Sequence, residues 1–327
     1  MTTEQPRRSA LTPTRSPLFQ RFRRWEASGV LLAFLILSGA LAWASPNFLT
    51  LTNIPILLRN ASFVGIVGLG ETLVILVGGI DLSVGTAAGL SAIIGALLLT
   101  KLGVNPYLII PLTAAFGMAL GLVNALFVAW LGLNPFIVTL ASGEIFAGTI
   151  LVITQGYPVR PLGSPFVMFG QTTIAGLPLP FLIFLASGLA LWWMLTWTRF
   201  GRNIYAVGGN RDAAALVGIR VARVEVMVFG LAGMFAALAG ILYASRMDAA
   251  QPTVGEGWML TAITASILGG TSLRGGEGAI VGTMFGALLL TVLQEGTVLL
   301  NVSGYWERVI VGAVVLLAVL VDMLRRK

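Results

Sequence analysis

Apolar runs separated by short polar stretches occupy the chain from residue 28 onward, a pattern that predicts a bundle of membrane-spanning helices. The candidate spans are residues 28–44, 54–77, 84–99, 107–131, 136–153, 179–197, 224–243, 258–268, 279–300 and 306–324. We therefore predict an all-α integral membrane protein with about ten transmembrane helices. Residues 1–27 are predicted as a cytoplasmic N-terminal tail, and residues 28–327 as the transmembrane domain, with a cytoplasmic loop at residues 198–223.

The first apolar run imitates a secretory signal peptide, because Arg21, Arg23 and Arg24 precede it and small residues follow it. The run at residues 28–44 nevertheless makes about 26 Å of helix at about 1.5 Å per residue, which can span a bilayer when its flanking residues reach the interface. We predict an uncleaved first span.

Arginines cluster at residues 7–24, 199–223 and 325–327, where the positive-inside rule predicts cytoplasmic segments. Six candidate spans precede the middle cluster and four follow it, so all three clusters fall on one side and both termini are predicted to be cytoplasmic. The weakest candidate is 258–268, which makes only about 17 Å of helix. Either it extends back toward Gln251, or the Gly-Gly turn after it lies inside the membrane.

The composition, 57% hydrophobic and 10% charged, supports the membrane class. The chain has no cysteine and no histidine, which excludes disulfides, thiolate nucleophiles, histidine bases and the usual zinc sites. Its net charge of +7 fits arginine anchors at the membrane surface better than nucleic-acid binding. We expect no nucleic-acid partner, and we find no nucleophile elbow or metal-ligand cluster that would indicate an enzyme.

Residues 76–99 align without gaps to residues 267–290, with ten of 24 positions identical. The identities pair Gly78 with Gly269 and Gly79 with Gly270. Six candidate spans separate the copies, so the alignment predicts a parallel internal repeat about an axis along the membrane normal. The glycines are expected at helix breaks, where Asp81 either caps the next helix or belongs to a hinge that moves during transport. These two interpretations are compatible.

The stretch GETLVILVGGIDLSVGT, residues 70–86, resembles the signature of the permease subunits of bacterial ABC-type monosaccharide importers, the group that contains the ribose, xylose and arabinose permeases. Further similar blocks follow in the family's order at residues 45–53, 134–140, 199–219, 250–283 and 316–322. The resemblance runs from about Trp25 to the end of the chain. It implies a subunit of an importer in the bacterial cytoplasmic (inner) membrane.

Residues 210–218 predict a short helix on the cytoplasmic face, because Asn210 is a good N-cap, Asp212 favours the positive helix end and Gly218 suits the terminating position. A solvated loop of anchoring arginines is the plainer interpretation. The resemblance implies instead a coupling helix that docks in a groove of an ATPase subunit and transmits its closure to the spans. The residues concerned are Asn210, Arg211, Asp212, Ala213, Ala214, Leu216 and Gly218.

The chain has no GxxxxGK[ST] phosphate loop, so the energy must come from a partner ATPase that binds ATP and Mg²⁺, and we expect no cofactor in this chain. The resemblance also implies a periplasmic sugar-binding protein and a second permease copy, identical or similar. Selectivity would lie mainly with the binding protein, and the permease would need no tight sugar site.

Polar residues inside apolar spans are candidates for a translocation path or gate, because intramembrane ionisable groups are costly. With Asp81 at the helix break, they are Glu71, Asn124, Thr139, Glu144, Gln294 and Glu295. Hydrogen bonds that only hold helices together are the alternative, above all for Asn124 and Thr139. The family commonly has neutral or basic residues near position 144 and Asn-Gly near 295, so the resemblance assigns no substrate from these carboxylates.

The rival class is a secondary transporter that couples sugar to protons through Glu71, Glu144 or Glu295. The intramembrane carboxylates favour it, whereas the absence of histidine and the arginine-flanked cytoplasmic segment oppose it. Transport that survives loss of ATP but collapses with the proton gradient would distinguish this class.

Overall fold

The computed structural model describes residues 28–303 and 305–325, so the predicted tail at residues 1–27 lies outside the described residues. The fold is almost entirely helical. Its helices are α1 Ser28–Ala44, α2 Asn53–Leu76, α3 Val84–Thr100, α4 Pro106–Ala125, α5 Pro135–Thr154, α6 Ser164–Gln171, α7 Leu179–Trp197, α8 Arg199–Gly209, α9 Arg211–Leu216, α10 Val221–Met247, α11 Trp258–Leu268, α12 Ile280–Leu299 and α13 Tyr305–Arg325. A π-helical turn, Leu126–Trp130, extends α4.

Within the described residues, six helices are long and apolar enough to cross a membrane: α2, α4 with its π turn, α5, α7, α10 and α12. Helices α1, α3 and α11 are apolar but shorter. Helix α11 begins at Trp258 and turns precede it, so the alternative in which it extends back toward Gln251 is wrong. The total of about ten spans stays a prediction.

Helix α10 lies at the centre of the bundle, where it packs against α2, α3 and α4. Glycines permit this closeness: a Cβ built at Gly121 of α4 would lie 2.1 Å from the carbonyl oxygen of Phe229 on α10. Gly117 and Gly121, a GxxxG pair, therefore mark a close contact between α4 and α10.

Three elements at the ends of the bundle were not predicted from hydropathy, because two of them are short and the third, with two arginines and an asparagine, is not uniformly apolar. They are α6, the antiparallel pair of strands β1 Thr173–Ile174 and β2 Leu177–Pro178, and α8. The predicted cytoplasmic loop 198–223 thus contains two helices, α8 and α9, rather than one.

Both helices of the predicted repeat, α2 and α11, end in a Schellman motif, in which the residue at positive φ is Gly78 (84°) and Gly270 (93°) respectively. These two glycines differ by one residue from the pairing in the ungapped alignment. That alignment also pairs Ile280, the first residue of α12, with Gly89 inside α3. The two segments share a helix, a break and a second helix, and the parallel repeat remains a prediction.

Candidate functional site

Helix α9 has the local structure that its sequence predicts. The Asn210 side chain accepts a hydrogen bond from the backbone N–H of Ala213 at 2.9 Å, which caps the first turn. Asp212 lies in that turn, near the positive end of the helix. At the other end, Gly218 has φ 86° and completes a Schellman motif. These caps define a short, well-terminated helix between α8 and α10.

The end of α9 presents an apolar tip to the surface. Leu216 is 89% exposed and the adjacent Val217 is 77% exposed, whereas Ala214 is buried against the bundle. Arg211 of α9 donates a hydrogen bond to Glu225 of α10 at 3.1 Å, which ties the helix to the bundle. An anchored helix with an exposed apolar tip is suited to enter a groove of another protein.

Helix α8 packs directly on the breaks that follow α2 and α11. Gly208 lies so close to the end of α2 that a Cβ there would be 1.8 Å from the carbonyl oxygen of Leu76. The same oxygen accepts a hydrogen bond from the N–H of Gly276 at 2.9 Å. The Tyr205 hydroxyl of α8 donates to the carbonyl oxygen of Gly278 at 2.8 Å. We call this contact of α8 with residue 76 and residues 276–278 the α8 junction.

A buried polar cluster surrounds the break between α2 and α3. Glu71 accepts a hydrogen bond from the backbone N–H of Asp81 at 3.1 Å. Asp81 in turn accepts from the N–H and hydroxyl of Ser83, at 2.8 and 2.6 Å. Asn124 of α4 donates to the Ser83 hydroxyl at 2.8 Å, and Thr139 of α5 accepts from the N–H of Leu82 at 3.0 Å. The structure thus brings together four of the predicted site residues.

Asp81 accepts a hydrogen bond from the backbone N–H of Ser83, the residue immediately before α3, so its side-chain oxygen satisfies a donor at the start of that helix, whereas Ser83 itself makes no side-chain cap hydrogen bond. The cluster also has spare capacity: Glu71 Oε2 and Asn124 Oδ1 are buried without a hydrogen-bond partner among the described residues. Buried polar atoms are normally satisfied, so these two acceptors can still receive a donor.

Glu144 lies apart from this cluster, near the middle of α5. Its side chain is exposed, and its neighbours one turn away, Ala141 and Gly148, are exposed as well. The opposite face of α5 packs toward the break, with Gly143 near Leu82. A carboxylate at mid-span is costly to expose to lipid, so this face of α5 requires a wetter or protein neighbour.

Gln294 and Glu295 of α12 line a cavity of about 1060 Å³ along the first half of α2, the half farther from α8. Residues from α10, α11 and α13 complete its walls. The predicted path residues therefore fall into three places: the cluster at the break, the exposed face of α5 and this cavity.

Several residues of these sites were not predicted from the sequence. Ser83 links Asp81 to Asn124, and Gly208 makes the closest contact of the α8 junction. Arg246 lies over the Phe63 ring at 5.8 Å beside the cavity. A glycine pair in the segment GGN, residues 208–210, was the available signal for close packing at Gly208. Among the described residues, no group of three or more acidic side chains is arranged to hold a metal ion.

The fold and these sites define the class: a multi-pass helical membrane protein with a polar helix break, a cavity among its helices and a short helix with an exposed apolar tip. Residues 53–319 match the family described as branched-chain amino acid transport system / permease component, and the chain belongs to this family.

Similar proteins align with this chain over nearly their whole lengths. The ribose import permease protein of Bacillus subtilis (strain 168) is 44% identical over 90% of this chain and 92% of the relative. The D-allose transport system permease protein of Escherichia coli (strain K12) is 38% identical over 93% of each chain. The L-arabinose ABC transporter permease protein of Azospirillum brasilense is 34% identical over 98% of this chain and 96% of the relative. No solved structure matches. These relatives are transport subunits, so the chain is a permease component rather than an enzyme.

Proposed function

We propose that this chain is the transmembrane subunit of an ATP-driven importer that moves a monosaccharide across the bacterial cytoplasmic membrane. The observation that carries the proposal is α9, an anchored helix with an exposed apolar tip, in a chain similar to ribose, D-allose and L-arabinose permeases. A separate ATPase subunit supplies the energy, and its groove receives Leu216 and Val217. ATP and Mg²⁺ bind to that partner.

The proposed topology has about ten spans, with both termini and the α8–α9 segment in the cytoplasm. It adds α1, α3, α11 and α13 to the six helices that are both long and apolar enough to cross a membrane. The short α11 fits this scheme because the break after it begins at Gly269, which is buried and packs against Gly282 of α12. Irregular backbone at membrane depth is tolerated where protein covers it.

The α8 junction supports a route from the ATPase to the spans. Closure of the ATPase would displace α9 and, through it, α8. Because Gly208 lies against Leu76 and the loop before α12, that displacement reaches both helix breaks. The cluster of Glu71, Asp81, Asn124 and Thr139 then joins the first break to α4 and α5. In this proposal the breaks, with Gly78, Gly79, Gly269 and Gly270, act as hinges that open and close the path.

Two further partners complete the importer: a periplasmic sugar-binding protein that delivers the substrate, and a second permease copy. Glu144 supports the second copy, because its exposed position at mid-span is unsuited to lipid. A water-filled path between two copies would hydrate the carboxylate. Helix α5 then lines the path, and its apolar residues beside Glu144 contact the other copy.

The test is the double variant Ala213→Asp, Leu216→Asp, made in cells that carry the whole importer. We expect normal insertion, loss of co-purifying ATPase and loss of sugar uptake. The reason is that a carboxylate at position 216 and another one turn earlier, at position 213, would lose their hydration on entering an apolar groove of the ATPase. The matched control is Leu216→Met, which keeps the tip apolar and should retain uptake. Normal uptake in the double Asp variant would contradict the coupling role of α9.

A further inference from the structure

The cavity beside α12 has walls of two kinds. One wall carries aromatic rings from three helices: Phe63 of α2, Tyr243 of α10 and Trp258 of α11. The Phe63 and Trp258 rings lie nearly parallel, 10° apart with centroids at 6.4 Å, and Tyr243 meets both edge-on at 5.2 and 5.4 Å. Phe63 is buried within this set, whereas Trp258 is only partly buried and offers the cavity an aromatic surface. The set is rigid because each ring contacts the other two.

The other wall is polar and charged. Glu295 and Gln294 of α12, Glu256 before α11 and Asn60 of α2 line it. Arg246 stands beside the same wall, donates a hydrogen bond to Asn60 and lies over Phe63. No cation among the described residues lies within 4 Å of the Glu295 carboxylate. This carboxylate therefore has hydrogen-bonding capacity left for a group in the cavity.

We propose that this cavity is a binding site for the transported monosaccharide within the permease itself. The inference rests on the proposed function and deepens it. A monosaccharide is a neutral ring with apolar C–H faces and a rim of hydroxyl groups. Trp258 would cover one face of the ring, the Glu295 carboxylate would accept hydrogen bonds from hydroxyls, and the Asn60 amide, whose oxygen already accepts from Arg246, would donate through its nitrogen.

The dimensions and the position of the cavity agree with this use. Its volume of about 1060 Å³ lies at the upper end of small-molecule pockets, about 300–1,000 Å³, so a sugar would share it with water. Weak binding would suit a transport subunit that must release its substrate. The cavity lies on the half of the bundle remote from α8, which in the proposed topology faces the binding protein.

The experiment measures sugar binding to the full chain in lipid nanodiscs, without binding protein or ATPase, by saturation-transfer difference NMR. The probes are ribose, D-allose and L-arabinose. We expect millimolar binding of at least one probe, with strongest transfer to the C–H protons of one ring face. Glu295→Gln should weaken that binding about tenfold, and Trp258→Leu should abolish it, while Trp258→Phe should restore part of it.

Two control variants address the fold. Trp193 of α7 is 59% exposed and lies outside the cavity, so Trp193→Phe should bind the probe like the unaltered chain. Lys101→Gln removes an exposed charge outside the cavity and should also leave binding unchanged. No saturable binding of any probe by the unaltered chain, or equal loss in the cavity variants and the controls, would overturn the proposal.

The outcome separates this inference from the importer function. ATP-driven uptake of sugar by the complete importer, combined with no binding by the permease alone, would refute the cavity site and leave the proposed function intact. Binding without any ATP-driven uptake in the reconstituted system would instead support the site and contradict the proposed mode of energy coupling.

Discussion

Replacing Gly208 by alanine is the sharpest perturbation of the α8 junction. The added Cβ would lie 1.8 Å from the Leu76 carbonyl oxygen and 2.5 Å from the Gly276 nitrogen, whereas ordinary contacts begin at 3.4 Å. Either α8 moves away by more than 1 Å, or the hydrogen bond between Gly276 and Leu76 breaks. Overpacking of this kind costs about 1–3 kcal/mol, which corresponds to about 5–150-fold in an equilibrium between two arrangements.

The neighbouring Gly209 provides a matched control, because a Cβ at that position meets nothing within 4 Å. Both glycines belong to α8, so Gly209→Ala makes the same chemical change in the same helix. We expect Gly208→Ala to insert and to bind the ATPase, but to lose at least about five-fold in ATP-driven uptake, whereas Gly209→Ala keeps the normal rate.

The assay is uptake of labelled sugar by proteoliposomes that contain the complete importer, normalised to the permease and ATPase content of each preparation. ATP hydrolysis is measured in parallel, because an uncoupled importer hydrolyses ATP without transport. Equal uptake by the two variants would refute the conclusion that the α8 junction carries motion to the helix breaks, and so would loss of permease from the membrane in both.

The remaining predictions concern the carboxylates within the spans. Glu71→Leu should lower the free energy of unfolding by about 1–3 kcal/mol, because it leaves the buried N–H of Asp81 unpaired. Glu71→Gln retains an acceptor and should lower it less. Chemical denaturation of both variants in detergent measures the difference, and equal losses of stability would contradict the prediction. The chain has no cysteine, so Glu144→Cys gives a unique thiol, which a charged, water-requiring reagent should modify if the α5 face borders a path. The control is Leu189→Cys on α7, which is 62% exposed before substitution and should face lipid; reaction at both positions, or at neither, would contradict the placement of Glu144.

Much of the helical framework follows from sequence alone. The predicted span at residues 28–44 coincides with α1, and the predicted span at 258–268 coincides with α11. Both are bounded by polar or glycine-rich segments, where the apolar pattern ends clearly. The termini of α9 were also predictable, since Asn210 and Gly218 are local signals that act within a few residues.

The contacts between distant segments could not be predicted in this way. Gly208, Leu76 and Gly276 meet only in the folded bundle, and no local pattern of glycines specifies which of them approaches a carbonyl group. The offset of the two Schellman motifs shows the same limit. Sequence identity aligns Gly78 with Gly269, but the residues with positive φ are Gly78 and Gly270. The position at which each helix ends determines which residue adopts the left-handed conformation.

The cluster at the break was predicted in its members but not in its connections. Glu71, Asn124 and Thr139 stand out as polar residues within apolar spans and Asp81 as an ionisable residue at the helix break, whereas Ser83 was not among the predicted residues. In the structure the Ser83 hydroxyl joins Asp81 to Asn124. Hydropathy can identify costly residues, whereas partners follow only from three-dimensional packing.

The most direct test of the proposed function reconstitutes the chain with its co-purifying ATPase and a sugar-binding protein in proteoliposomes, and measures sugar accumulation. The proposal predicts accumulation that requires ATP hydrolysis and the binding protein, survives collapse of the proton gradient, and disappears in the Ala213→Asp, Leu216→Asp variant. Accumulation by the chain alone, without ATP and dependent on the proton gradient, would contradict it and assign the chain to the proton-coupled carriers.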